Sequence, residues 1–151
     1  MTAAVALLQL LKTDQNVDYF VMHLTSLLSE LFHTDAPSFE KQLGNYFDGS
    51  FAPLLMSLIS EPTNKEHINS VMLHLKDELK RSPKVQVTLT FVPDTEFISK
   101  AYALVSKKIS NPFVFEFKID PNLVCGANIA YEGIMYNRSY GSALKDYVYK
   151  L

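Results

Sequence analysis

From Met1 to about Pro83 the apolar residues recur every three to four positions, the period of helices that each bury one face. The opening segment sets Val5, Leu8 and Leu11, or Leu7 and Leu11, on one side and ends near Lys12, before the polar Thr13-Asp14-Gln15-Asn16. A second helix over about 17–33 carries Phe20, Leu24, Leu27, Leu28 and Leu31, and Thr34 to Pro37 ends it. Pro37 suits the first turn of a third helix with Phe39, Leu43, Tyr46 and Phe47, which stops at Asp48-Gly49. A fourth, over about 51–60, turns Leu54, Leu55, Leu58 and Ile59 inward. Thr63 followed by Glu66 has the form of a capping box, opening a fifth helix with Ile68, Val71, Met72, Leu75 and Leu79 on its apolar stripe. Short links between amphipathic helices predict an antiparallel bundle.

At Lys84 the period changes to two. Val85, Val87, Leu89 and Phe91 alternate with Gln86, Thr88 and Thr90, as in a strand with one buried face. Pro93-Asp94 opens a helix that turns Phe97, Ile98, Ala101, Leu104, Val105 and Ile109 inward and ends by Asn111-Pro112. Phe113, Phe115, Phe117 and Ile119 then alternate with Val114, Glu116 and Lys118 as a second strand. If the two strands are parallel neighbours, the crossover between them is right-handed. The boundary between the helical region, 1–83, and this one, 84–151, falls at Ser82-Pro83.

The stretch from Ile119 to Leu144 closes the chain's plan. Asp120-Pro121 forces a turn at the strand exit, Leu123 and Val124 follow, and Gly126 reads as a bulge or a close backbone approach. Two short runs, Ala127 to Tyr131 and Ile134 to Tyr136, flank Glu132-Gly133 as a β-hairpin. Asn137 and Ser139 offer caps for a last helix striped by Tyr140, Leu144, Val148 and Leu151. The fold class is therefore α+β: a helical bundle followed by strand, helix, strand, hairpin and helix.

This order of strand, acidic residue, apolar pair, glycine, hairpin and capped helix resembles the C-terminal domain of the delta subunit of F-type ATP synthases, called the oligomycin-sensitivity-conferring protein in mitochondria. Ile119, Asp120, Leu123, Val124, Gly126, Ser139 and Leu144 fall on that family's pattern. Cys125 stands where the family has the first of two glycines, and Asn137-Arg138 replace its aspartate-glycine. The resemblance covers 85–151 well and about 39–81 loosely, and five helices are read where the family has six. It implies a non-catalytic peripheral-stalk adaptor. The helical bundle would hold the alpha subunits at the catalytic head, and the C-terminal domain would grip subunit b. The protein would then sit peripherally on the cytoplasmic face of a bacterial inner membrane, reaching the membrane only through partners.

Composition narrows the alternatives. The chain of 151 residues has 48% hydrophobic and 20% charged residues, a globular balance. Its net charge of −2 and lack of a basic run argue against a nucleic-acid partner. Residues 1–83 carry 6 Lys+Arg against 10 Asp+Glu, whereas 84–151 carry 8 against 6, an asymmetry that either two partners or a solvated surface explains. No apolar run is long enough to span a bilayer, and the N-terminal residues read as a packed helix, not an export signal.

Candidate chemistry is sparse. The lone cysteine, Cys125, fits a reducing compartment and reads as a small buried hydrophobe. His67 and His74 stand seven apart, the wrong spacing for a helical metal pair, and His23 and His33 have no supporting pattern. Asp120 reads as a turn residue, and no phosphate loop, serine elbow or cysteine metal set is present. No cofactor, metal or catalytic residue is therefore expected. The C-terminal tyrosines Tyr131, Tyr136, Tyr140, Tyr147 and Tyr149 serve either core or interface. Two other readings stay open. One is an adaptor like the peripheral-stalk protein of V-type or archaeal-type ATPases whose C-terminal domain is a similar mixed α/β unit, and the other is a small enzyme using Cys125 with a histidine. Thiol alkylation at neutral pH separates the enzyme from the adaptors, since an activated thiol reacts readily and a buried one does not.

Overall fold

The computed structural model describes residues 3–123 and 126–137. The fold is α+β, with five helices packing as a bundle and then a mixed four-stranded sheet with one helix. Two compact units result. One takes the chain up to Leu11 together with Gln15–Ser82, and the other takes Lys12–Asp14 together with the chain from Pro83.

The helical unit comprises α1 (Ala3–Leu11), α2 (Asp14–Leu31), α3 (Phe39–Tyr46), α4 (Phe51–Ser57) and α5 (Lys65–Lys80). α1 packs on α4 and α5, and α3 packs on α4. The core follows the helical stripes: Leu7, Leu24, Leu27, Leu43, Leu55, Ile68 and Met72 are all fully buried. Several predicted details change. α2 begins at Asp14, not Val17, because the polar link supplies its first turn with an acidic residue where the helix dipole favours one. Pro37 lies outside α3, whose N-cap position is Ser38. α4 ends at Ser57, three residues early, though Ile59 beyond it is still buried. The cap of α5 is Asn64, whose Oδ1 accepts from the His67 backbone N–H at 3.1 Å; Thr63 and Glu66 do not form the predicted box.

In the second unit β1 (Lys84–Leu89) lies between β2 (Val114–Ile119), parallel to it, and β3 (Asn128–Tyr131), antiparallel to it. β4 (Ile134–Asn137) completes the order β2-β1-β3-β4. The hairpin is the expected one, with Tyr131 facing Ile134 across Glu132-Gly133. Both turn residues have positive φ, 48° and 79°, as a type I′ turn demands, which is why a glycine stands at 133. α6 (Thr95–Val105) starts at Asp94, whose Oδ1 accepts from the Phe97 N–H at 2.7 Å.

The link Lys12–Asp14, read from sequence as a mere connection, belongs to this unit. Thr13 pairs in parallel with Phe115, and the Phe115 N–H donates to the Lys12 carbonyl at 2.8 Å. Lys12 Nζ donates to Ser99 Oγ at 3.0 Å, and Asp14 pairs with Lys84 at 3.7 Å. Lys12 itself takes φ 60°, a left-handed turn that ends α1 without a glycine.

The core of the sheet unit gathers Val85, Val87, Leu89, Tyr102, Phe113 and Phe115. Three sequence assignments fail here. Phe91 lies past the end of β1 and is exposed, because the strand stops pairing at Leu89. Leu104 is 65% exposed, off the line that Tyr102 and Val105 follow toward the core. Along β2 the buried residues are Val114 and Phe115, while Phe117 is half-buried and Ile119 exposed, so burial fades toward the strand exit.

Tyr102 was not expected in the core. Its ring stacks on Phe113 with centroids 4.7 Å apart, and its hydroxyl donates to the Phe113 carbonyl at 3.2 Å. Burial pushes its phenol above the ordinary value of 10. Below pH 10 the phenol is protonated folded or unfolded. Above it the unfolded phenol ionises first, so the stability Tyr102 contributes is lost as pH rises through the raised folded value. Urea unfolding of the Tyr102→Phe variant will show a smaller loss of stability above pH 10 than the parent. Equal alkaline losses in both would rule out this coupling.

Candidate functional surfaces

The motif residues at the end of β2 form one turn. Ile119 lies opposite Leu89, and the Asp120 N–H donates to the Leu89 carbonyl at 2.8 Å, extending the parallel pairing by one bond. The Asp120 carboxylate accepts from the Asn122 N–H at 2.9 Å, and the Leu123 N–H donates to the Asp120 carbonyl at 3.1 Å. The aspartate thus folds the chain back on itself, as an Asx turn ahead of proline does. Leu123 is half-buried, and Gly126 has φ 98°, a conformation open mainly to glycine. Val124, Cys125, Ser139 and Leu144, and with them the last predicted helix, lie outside the described residues.

The histidines do not converge. His67 Nε2 lies 3.0 Å from Ser60 Oγ, while His74 sits 3.7 Å from Glu78, one turn along α5. Among the described residues no three His, Cys, Asp or Glu side chains are grouped to hold a metal ion. None of the described helices is long and apolar enough to cross a membrane.

Three recesses stand out. In the sheet unit a cleft of about 650 Å³ lies between the end of α6 and the hairpin, walled by Val105, Ile109, Ile129, Tyr131 and Tyr136, with Lys108 at its edge. Near it Leu104, Ile134 and Met135 are exposed. The Tyr131 phenol is pushed up by burial and then by the neighbouring Glu132 carboxylate.

In the helical unit, a polar recess at the end of α2 is lined by Glu30, His33, Asp35 and Gln42. Gln42 is 1% exposed, and neither amide atom has a hydrogen-bond partner among the described residues. The helical spacing of Phe39, Gln42 and Tyr46 was the signal that could have found it, had a polar residue been allowed on an apolar stripe.

The third recess is aromatic, about 300 Å³, and is the feature sequence reasoning missed altogether. α2 supplies Tyr19, Phe20 and His23; α3 and the residue after it supply Tyr46 and Phe47; α4 supplies Phe51. Phe20 packs on Phe47 at 4.8 Å and on Phe51 at 5.5 Å between centroids. His23 lies 4.4 Å from Tyr19 and meets Tyr46 edge-on at 6.2 Å. The Tyr46 hydroxyl donates to the Glu30 carboxylate, which holds the ring and raises its phenol pKa. His23 Nε2 is buried without a hydrogen-bond partner among the described residues.

No protein-family model matches the chain, and no curated protein matches it.

Proposed function

We propose that the chain is a non-catalytic adaptor in the peripheral stalk of an F-type ATP synthase, holding the catalytic head to subunit b against rotor torque. The observation that carries this reading is the order of elements. A helical bundle, of five helices where the family has six, precedes a β-α-β-hairpin sheet, and the Ile119-Asp120 turn leads from the second strand toward the hairpin, an order similar to that of the delta subunit the sequence resembles. Exposed apolar side chains on both units add support: Leu10, Met22 and Leu73 on the helices, and Leu104, Ile134 and Met135 on the sheet unit. An adaptor needs an apolar surface for each partner, and amphipathic helices laid into grooves bury such surfaces cooperatively. On this reading the helical unit takes the alpha subunits and the sheet unit takes subunit b. The protein is then peripheral on the cytoplasmic face of a bacterial inner membrane.

Co-purification of the tagged protein from detergent-solubilised native membranes tests it. The alpha, beta and b subunits of the synthase should be recovered together with it. Recovery of none of them, from membranes in which the synthase is intact, would sink the proposal.

A further inference from the structure

The aromatic recess of the helical unit is built as a ligand site more than as a core. Phe20 and Phe47 are buried and make its floor, but Tyr19 is 63% exposed and Tyr46 half-buried, so the rings line an open space that packing has not filled. A concave surface recess lined mainly by aromatic and apolar side chains with a few polar groups is the usual form of a small-ligand site. Its volume is at the small end for ligand pockets, room for a compact head group and too little for a nucleotide.

The electrostatics select the head group. Aromatic rings present negative faces, and Asp48 adds a carboxylate at the rim that forms no ion pair with any described residue. No lysine or arginine is among the residues lining the recess. The helical unit around it is acidic, with nine Asp+Glu against five Lys+Arg. A bare ammonium would remain better solvated by water, whereas a methylated one carries its charge on an apolar surface that suits both the rings and the carboxylate.

We propose that this recess binds a methylated ammonium group, gripped by Tyr19, His23 and Tyr46 and held at its charged side by Asp48. The same chemistry belongs to a free quaternary amine and to a trimethyllysine side chain on a protein. Pocket and ligand are independent of the stalk reading, and either can stand without the other.

The test titrates the full chain with choline, with a trimethyllysine peptide, and with the uncharged isostere of choline in which a tert-butyl group replaces trimethylammonium. Calorimetry and the ring resonances of the tyrosines report binding. At least one of the two cations should bind, and the isostere should bind about tenfold more weakly than choline or not at all, the loss expected for a cation–π contact with an added carboxylate. The Tyr19→Ala and Asp48→Asn variants should each weaken the cation severalfold; both positions are exposed, so the fold should survive the changes. Tighter binding of the peptide than of choline identifies a protein-borne ligand, and equal or tighter binding of choline a free amine. An isostere that binds as well as choline, or no saturable binding of either cation, overturns the proposal.

Discussion

Replacing Phe115 by alanine will destabilise the sheet unit by about 3–5 kcal/mol, the loss typical of truncating a buried phenylalanine. The side chain is 1% exposed and sits at the centre of the unit's aromatic cluster. Its ring meets Tyr102 edge-on at 5.9 Å, Phe113 at 5.4 Å and Phe117 at 5.3 Å between centroids, so truncation removes transfer energy and three aromatic contacts and leaves a cavity. A typical domain has only about 5–15 kcal/mol in all, so the unit should sit near the edge of folding. The main-chain bond from Phe115 to the Lys12 carbonyl survives the change, which confines the loss to packing. The chain has no tryptophan, so urea unfolding followed by circular dichroism and tyrosine fluorescence is the measurement. Phe117→Ala, at a half-buried position, should cost clearly less. A Phe115→Ala loss under about 1 kcal/mol would mean that the cluster is not the core of this unit.

Much of this architecture was legible in the sequence because it rests on local signals. The change of period at Lys84 marks the first residue of β1. Asp94 caps α6 through a bond that needs only the next few residues, and Glu132-Gly133 turns the hairpin through its own backbone angles. What failed depends on contacts distant in sequence. Nothing near Thr13 signals that it pairs with Phe115, about a hundred residues on, so the link read as a polar spacer. Phe91 and Leu104 continue their apolar patterns yet miss the core, Phe91 because β1 stops pairing at Leu89 and Leu104 because it lies off the line of Tyr102 and Val105, and periodicity alone shows neither. Tyr102 enters the core although its side chain is amphipathic, because the Phe113 carbonyl, eleven residues on, satisfies its hydroxyl there. The candidate sites were the least legible. The aromatic recess draws on residues of four helices, and no pattern within any one helix marks them as a set.

Gln42→Met will raise the stability of the helical unit by about 1–3 kcal/mol, an unusual sign for a core substitution. Both amide atoms of Gln42 are buried, and neither is hydrogen-bonded to a described residue, so folding takes a donor and an acceptor out of water without replacing what water gave them. Methionine has nearly the same length and the same unbranched shape, and it forms helices about as well. It therefore fills the same space in α3 and drops only the polar cost. The neighbouring Leu43 and Phe39, both buried, should keep their packing, and the cooperativity of unfolding should not change. The opposite result is equally informative. If Gln42→Met destabilises, the amide must be bonded to something in solution, either a trapped water or a small polar molecule in the recess with Glu30, His33 and Asp35. Removing small molecules separates those two cases, because a trapped water returns from any aqueous buffer and a bound solute does not. If the parent, unfolded, dialysed and refolded in plain buffer, keeps its advantage over Gln42→Met, the amide holds water; if it loses that advantage, the recess belongs to a ligand that needs the amide intact.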